Sequence, residues 1–92
     1  MSNSYNINVP DQGEPDIEGV KKIIMGWFRD RNLKAGDTLD FVHKSIIYEE
    51  VLNPKQRKVW EKAIESLLND EFVAENPNKA LVLTEKGENS IY

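Results

Sequence analysis

The chain has 92 residues, a length that supports one hydrophobic core and leaves no room for a second domain. It contains no cysteine, which excludes disulfides and thiolate metal sites and favours a reducing cytoplasm. The formal net charge is −4, so the molecule as a whole repels nucleic acid and anionic membranes, and any nucleic-acid role requires a local basic patch.

The first 15 residues are polar and contain three residues that disfavour a helix, Pro10, Gly13 and Pro15. We interpret 1–15 as a flexible arm ahead of a domain formed by 16–92. Within the arm, Tyr5, Ile7 and Val9 alternate with asparagines, which would place three apolar side chains on one side of an extended segment. The arm is then either a leader without structure or a segment that packs on its own domain or on a second copy.

Two helices are predicted in the first half of the domain. The first runs from about Asp16 to Arg31, because apolar residues recur there at spacings of three and four, with acidic residues at its start and arginines at its end. A few extended residues near Leu39 follow, and the second helix is predicted from about Phe41 to Val51.

A third helix is predicted to begin at Asn53 and Pro54, because asparagine caps helices and proline is tolerated at the first helical position. It runs to about Asn69 with a wide apolar stripe. The period then changes to that of two short strands, 72–75 and 80–83, joined by a turn over 76–79.

The expected class is therefore mainly α with a small β-hairpin, in which three helices and two strands share one core. Thr84 is expected to cap a last helical turn that continues to Ser90. The core is predicted to contain Trp27, Phe28, Trp60, Ile64, Leu67 and Leu83.

The last 30 residues, about 63 to 92, carry a specific resemblance. They read A-I-E-S-L-L-N-D-E-F-V, then the hairpin, then L-V-L-T-E-K-G-E-N-S-I. This resembles the winged-helix domains of bacterial regulators of the MarR and PadR kind, in which a recognition helix leads into a β-hairpin wing. The resemblance implies a winged helix whose third helix binds DNA. The usual glycine after that helix is replaced, so Asn69 or Asp70 is expected to take the left-handed conformation.

The start of the third helix carries most of the informative charge. Lys55, Arg57, Lys58 and Lys62 are accompanied there by Glu61 alone. On one continuous helix, the three lysines would form a ridge opposite the apolar face. Cations in the first turn oppose the helix macrodipole, which phosphate could offset. We therefore predict that these four residues, with Lys79 in the hairpin turn, bind duplex DNA, with Lys55 and Arg57 as candidates for base edges.

The alternative is a winged helix that binds a protein rather than DNA. Glu49 and Glu50 could pair with Arg57 or Lys58, which would explain the basic residues without DNA. An acidic end formed by residues 64–76 could receive a basic partner. The two-part dimerisation helices of the resembled regulators are missing, so a homodimer would need the first helix or the arm.

Catalytic chemistry is not expected. His43 is the single histidine, and the adjacent carboxylates have no visible setting that would raise their pKa values. No cofactor, metal site or glycine-rich phosphate loop is predicted. No stretch approaches the roughly 20 apolar residues of a membrane span, so no membrane partner is expected.

Overall fold

A computed structural model describes residues 16–92, so the predictions for the arm lie outside the described range. In chain order the elements are α1 (Ile17–Asp30), β1 (Thr38–Leu39), α2 (Phe41–Ile46), a π-helical turn (Ile47–Val51), α3 (Pro54–Lys58), α4 (Trp60–Asn69), β2 (Val73–Glu75), β3 (Leu81–Leu83) and α5 (Glu85–Ile91). This is a mixed α+β structure, which confirms the predicted class. The described residues form five α-helices and three strands, rather than three helices and two strands.

Helix α1 agrees with its prediction to within one residue at each end. Its N-cap is Asp16, whose carboxylate accepts a hydrogen bond of 3.2 Å from the Gly19 N–H. Val20, Ile24 and Phe28 are fully buried along one face, which packs mainly against α4. The apolar spacing in the sequence therefore identified the face that forms the core.

The predicted single helix from Phe41 to Val51 is wrong in its second half. After α2 the chain makes the π-helical turn, in which each N–H bonds a carbonyl five residues earlier, and the Leu52 N–H donates to the Ile47 carbonyl at 3.0 Å. The wider turn leaves Leu52 only 3% exposed, whereas Phe41 is 76% exposed. These two residues, which would share a face on a regular helix, thus end in opposite environments.

The third helix begins as predicted but is not continuous. Asn53 and Gln56 form a reciprocal capping box, with side chain to backbone distances of 2.8 and 3.0 Å. At Val59 the backbone leaves the helical region, with φ −109° and ψ 13°, and its N–H donates to the Gln56 carbonyl in a tighter turn. Helices α3 and α4 are therefore separate, although the apolar spacing continues through the break.

The sheet has a third strand because the short extended segment before α2 pairs with the hairpin. Its order is β1-β3-β2, antiparallel throughout, with Leu39 opposite Leu81 and Val73 opposite Leu83. The predicted turn over 76–79 is confirmed: the Asn76 side-chain oxygen accepts from the N–H groups of Asn78 and Ala80, both at 2.9 Å.

The left-handed residue after α4 is Glu71, with φ 65°, so the prediction of Asn69 or Asp70 is wrong. Helix α4 ends at Asn69, and Asp70 still has right-handed helical angles. The left-handed step that reverses the chain consequently comes one residue later, directly before Phe72.

Strand β3 and helix α5 meet the end of α4 at a set of contacts that we call the C-terminal junction, formed by Glu71, Phe72, Thr84 and Gly87. The Thr84 hydroxyl accepts from the Gly87 N–H at 2.9 Å, which confirms the predicted cap, and it donates to the Glu71 carbonyl at 2.6 Å. A Cβ on Gly87 would collide with the Phe72 carbonyl oxygen. This close approach explains why the position after L-T-E-K is glycine.

One hydrophobic core joins α1, β1, the π-helical turn, α4 and the two strands of the hairpin, and Ile91 of α5 packs against it, whereas α2 and α3 contribute no buried residue. Of the predicted core residues, Phe28, Leu67 and Leu83 are buried, while Trp27, Trp60 and Ile64 pack against the core with part of their surface exposed. No helix formed by residues 16–92 combines the length and apolar composition needed to cross a membrane.

Candidate nucleic-acid interface

Three exposed lysines flank the break between α3 and α4. We call Lys55, Lys58 and Lys62 the lysine surface. None of the three side chains makes an ion pair or a hydrogen bond with another residue of 16–92. The ion pairs within that range are Lys21 with Glu18, Lys21 with Asp70 and Arg29 with Asp30, and the Nδ1 atom of His43 lies 3.0 Å from a carboxylate oxygen of Asp40. The charge of the lysine surface is therefore not neutralised within the described part of the chain.

The break at Val59 changes two arguments made from a continuous helix. Lys58 ends α3, whereas Lys62 lies in α4, so a rotation of 100° per residue cannot relate their directions across the break. Helix α3 has only five residues, with Lys55 second and Lys58 last, and Lys62 is the third residue of α4. A helix this short has a small macrodipole, so the predicted cost at Lys55 is reduced, and the three lysines do not form a single regular ridge.

Arg57 has a different environment from the lysines. Its Nε donates to the Tyr48 carbonyl and its Nη2 donates to the Glu49 carbonyl, both at 2.8 Å, and the guanidinium lies 5.8 Å from the centre of the Tyr48 ring. The expected pairing with the carboxylates of Glu49 or Glu50 is replaced by these bonds to the backbone. Arg57 holds α3 against the π-helical turn, and two of its nitrogens are already used.

The hairpin turn lies beside α2. Lys79 is exposed at the end of the turn with φ 65°, and its carbonyl accepts a hydrogen bond of 2.6 Å from Lys44 Nζ. Lys44 was not among the predicted site residues. No local pattern marked it, because its position next to Lys79 arises only when β1 pairs with β3.

A groove lies between α2, the π-helical turn, the end of α3 and the start of α4. We call it the α2–α3 groove; its volume is about 480 Å³. Its charged lining comprises Lys44, Arg57 and Lys58, with Glu49 and Glu61 opposing them.

Three aromatic side chains complete the lining of the α2–α3 groove. Tyr48 and Trp60 meet edge to face with ring centres 5.8 Å apart, and both pack against the core. Phe41, in contrast, is exposed and does not pack against the core. The structure thus forms a basic and aromatic surface from α2, the π-helical turn and the region of α3 and α4. Of this surface, the sequence predicted only Arg57 and Lys58.

The single histidine lies in the cap of α2. The Asp40 side chain accepts from the His43 backbone N–H at 3.0 Å, and this bond lowers the pKa of Asp40. His43 also meets the edge of Trp27, with ring centres 6.3 Å apart. Among residues 16–92, no group of three or more histidines and carboxylates is placed to hold a metal ion.

The acidic residues predicted to form one end of the molecule, within 64–76, lie in two different environments. Asp70 pairs with Lys21 at 2.9 Å. Glu71 and Glu75 line a separate cleft together with Glu85 and Lys86.

Comparisons of the chain with protein-family models, with curated proteins and with solved structures found no match.

Proposed function

We propose that the chain is a winged-helix protein that binds duplex DNA through the lysine surface, with Lys79 in the hairpin as a peripheral contact. The succession of helix, short strand, helix, helix and hairpin supports the winged-helix topology. In this interpretation α3 and α4 together take the position of the recognition helix, and the β2–β3 hairpin is the wing.

The observation that carries the proposal is the unneutralised charge of Lys55, Lys58 and Lys62. Lys21 is the one lysine of 16–92 that pairs with carboxylates, and these three differ from the other unpaired lysines in following one another at spacings of three and four residues across the Val59 break. A lysine without an ion pair can neutralise a phosphate without first losing an internal partner. Release of the phosphate's condensed counterions then favours binding.

The same surface limits the expected affinity. Two glutamates of α4 are also exposed: Glu61 lies between Lys58 and Lys62 in the sequence, and Glu65 follows Lys62. The net charge of the molecule is −4. Binding should therefore be modest and should fall steeply as salt increases, because each phosphate contact contributes about −0.9 to the slope of log K against log salt.

Titration of labelled duplexes at several salt concentrations tests the proposal. Lys58→Glu with Lys62→Glu should weaken binding to every duplex and flatten the salt slope by about 2, since two phosphate contacts are lost. The matched control is Lys22→Glu with Lys86→Glu, which makes the same change in net charge at exposed lysines of α1 and α5. A similar loss in the control would show an effect of net charge alone and would overturn the assignment. So would absence of binding by the parent at about 50 mM salt.

A protein-binding module is the second candidate, favoured by the exposure of Phe41 and Val42 at the start of α2, 76% and 61% respectively. Neighbouring apolar side chains exposed to this extent are typical of contact surfaces. If duplexes fail to bind and sedimentation equilibrium shows self-association that Val42→Asp abolishes, a homodimer module replaces the DNA-binding proposal.

A further inference from the structure

Phe41 is the first residue of α2, directly after its N-cap Asp40, and it is the aromatic lining residue of the α2–α3 groove that does not pack against the core. Its ring leaves a large apolar surface in water. Burial of such a side chain is favourable, so a ligand that covers the ring gains from doing so. The position therefore offers a binding contact that folding itself does not use.

The charges around Phe41 indicate what that ligand is. Lys44 lies on the next turn of α2, and Arg57 and Lys58 also line the groove, together with the carboxylates of Glu49 and Glu61. Three cations against two carboxylates leave the lining with a small positive excess. The hydrogen bond from Lys44 to the carbonyl of Lys79 also brings the hairpin turn to this side of the groove. An exposed aromatic ring in such a lining complements a ligand that has both a flat π-face and negative charge.

We propose that the α2–α3 groove receives an unpaired base, with Phe41 as its stacking platform, so that the preferred ligand is a duplex that continues into a single strand. This inference rests on the proposed DNA binding and deepens it. Stacking on an aromatic side chain requires an open base face, whereas the bases of a blunt duplex are stacked on one another. A groove of about 480 Å³ lies within the size range of small-ligand sites and has room for one base.

The lysine surface and the groove then have separate roles. Lys55 and Lys62 do not line the groove and contact the phosphates of the paired region, whereas Lys58 lies where the two surfaces meet. Phe41 acts only on the single strand. This separation gives an expectation that distinguishes the inference from the DNA-binding proposal on which it rests.

The test compares a blunt duplex with the same duplex extended by a single strand of about six nucleotides, within the site sizes known for stacking platforms. Phe41→Ala should weaken binding to the extended duplex roughly 5- to 150-fold, as expected for loss of one stacked base, and should leave binding to the blunt duplex within about twofold. Phe41→Trp should retain the preference. Val42→Ala is the matched control, because Val42 is the exposed neighbour on α2 that does not line the groove, and it should change neither affinity.

Each other outcome has a defined meaning. If blunt duplexes bind through the lysines but Phe41→Ala weakens both ligands equally, or neither, the unpaired-base assignment is wrong and the DNA-binding proposal stands. If the parent binds neither ligand, both are wrong. If Phe41→Ala and Val42→Ala alter only the sedimenting mass, the patch is a contact between copies of the chain. Circular dichroism melting confirms that the variants are folded.

Discussion

The C-terminal junction and the α2–α3 groove differ in how far their groups are used by contacts within the molecule. In the junction, the Thr84 hydroxyl both donates and accepts, and Gly87 lies against the Phe72 carbonyl without space for a methyl group. Around the groove, Phe41 is exposed and Lys58 has no ionic partner within the described residues. One region is occupied by internal contacts, whereas the other retains the capacity to make external ones.

The junction therefore contains residues that stabilise the fold, whereas the groove contains residues that remain available for binding. Substitutions in the junction should alter the free energy of unfolding, and substitutions of Phe41 and Lys58 should alter binding and leave unfolding nearly unchanged. Surface changes away from buried or hydrogen-bonded groups usually remain within about 0.5 kcal/mol.

The largest expected effect is that of Gly87→Ala. The added methyl group would overlap the Phe72 carbonyl oxygen and force β2 and α5 apart, which should lower the free energy of unfolding by about 1–3 kcal/mol. Gly26→Ala in α1 is the control, because the nearest side-chain atom to its Cβ position lies 3.8 Å away. That change should raise stability by about 0.5–1 kcal/mol through helix propensity. Urea unfolding measures both, and equal stabilities would contradict the close contact.

A somewhat smaller loss is expected for Thr84→Val, which keeps the shape of the side chain but removes the hydroxyl. The Gly87 N–H loses its capping acceptor and the Glu71 carbonyl loses a donor, so stability should fall by about 1–2 kcal/mol. Thr38→Val on β1 is the matched change at an exposed threonine and should have little effect. If the two variants unfold at the same urea concentration, the Thr84 hydroxyl does not stabilise the junction.

The smallest expected effect depends on pH. The hydrogen bond from Lys21 to Asp70 raises the pKa of Lys21 above its ordinary 10.5. A raised pKa means that the folded state holds the proton more tightly. The contribution of the pair is therefore complete below pH 10.5 and is lost as the pH rises through the higher folded value.

Lys21→Met should accordingly lower stability by about 1 kcal/mol or less at neutral pH, and its difference from the parent should close in alkaline solution. Lys58→Met removes the same charge from the lysine surface and should match the parent at both pH values. Thermal melts at neutral pH and above pH 10.5 provide the measurement. A deficit of Lys21→Met that persists unchanged in alkali would show that the pair contributes through packing of the side chain rather than through its charge.

Features encoded by neighbouring residues were predictable from the sequence. The stripe in α1, the capping residue Asn53 and the turn over 76–79 can each be recognised from residue types spaced no more than four positions apart, and the structure confirms them. The Thr84 cap belongs to the same class.

Features that depend on contacts distant in sequence were missed. The pairing of β1 with β3 joins Leu39 to Leu81, and no local pattern specifies it. The break at Val59 is concealed because the apolar spacing continues on both sides of it. The pairing places Lys44 beside Lys79, and the break separates Lys58 from Lys62. The sequence therefore predicted Lys55, Lys58, Lys62 and Lys79, but it missed Lys44, Phe41 and the shape of the surface between them.

The hydrogen bonds that hold the borders of the groove share one property: Arg57 and Lys44 donate to main-chain carbonyls, those of Tyr48, Glu49 and Lys79. An acceptor that belongs to the backbone survives any side-chain replacement at its own position. In a lineage of diverging sequences, positions 49 and 79 could therefore change chemical character without disturbing the frame of the groove, provided that long donors persist at 44 and 57. Substitutions at positions 49 and 79 alone could therefore change the ligand preference.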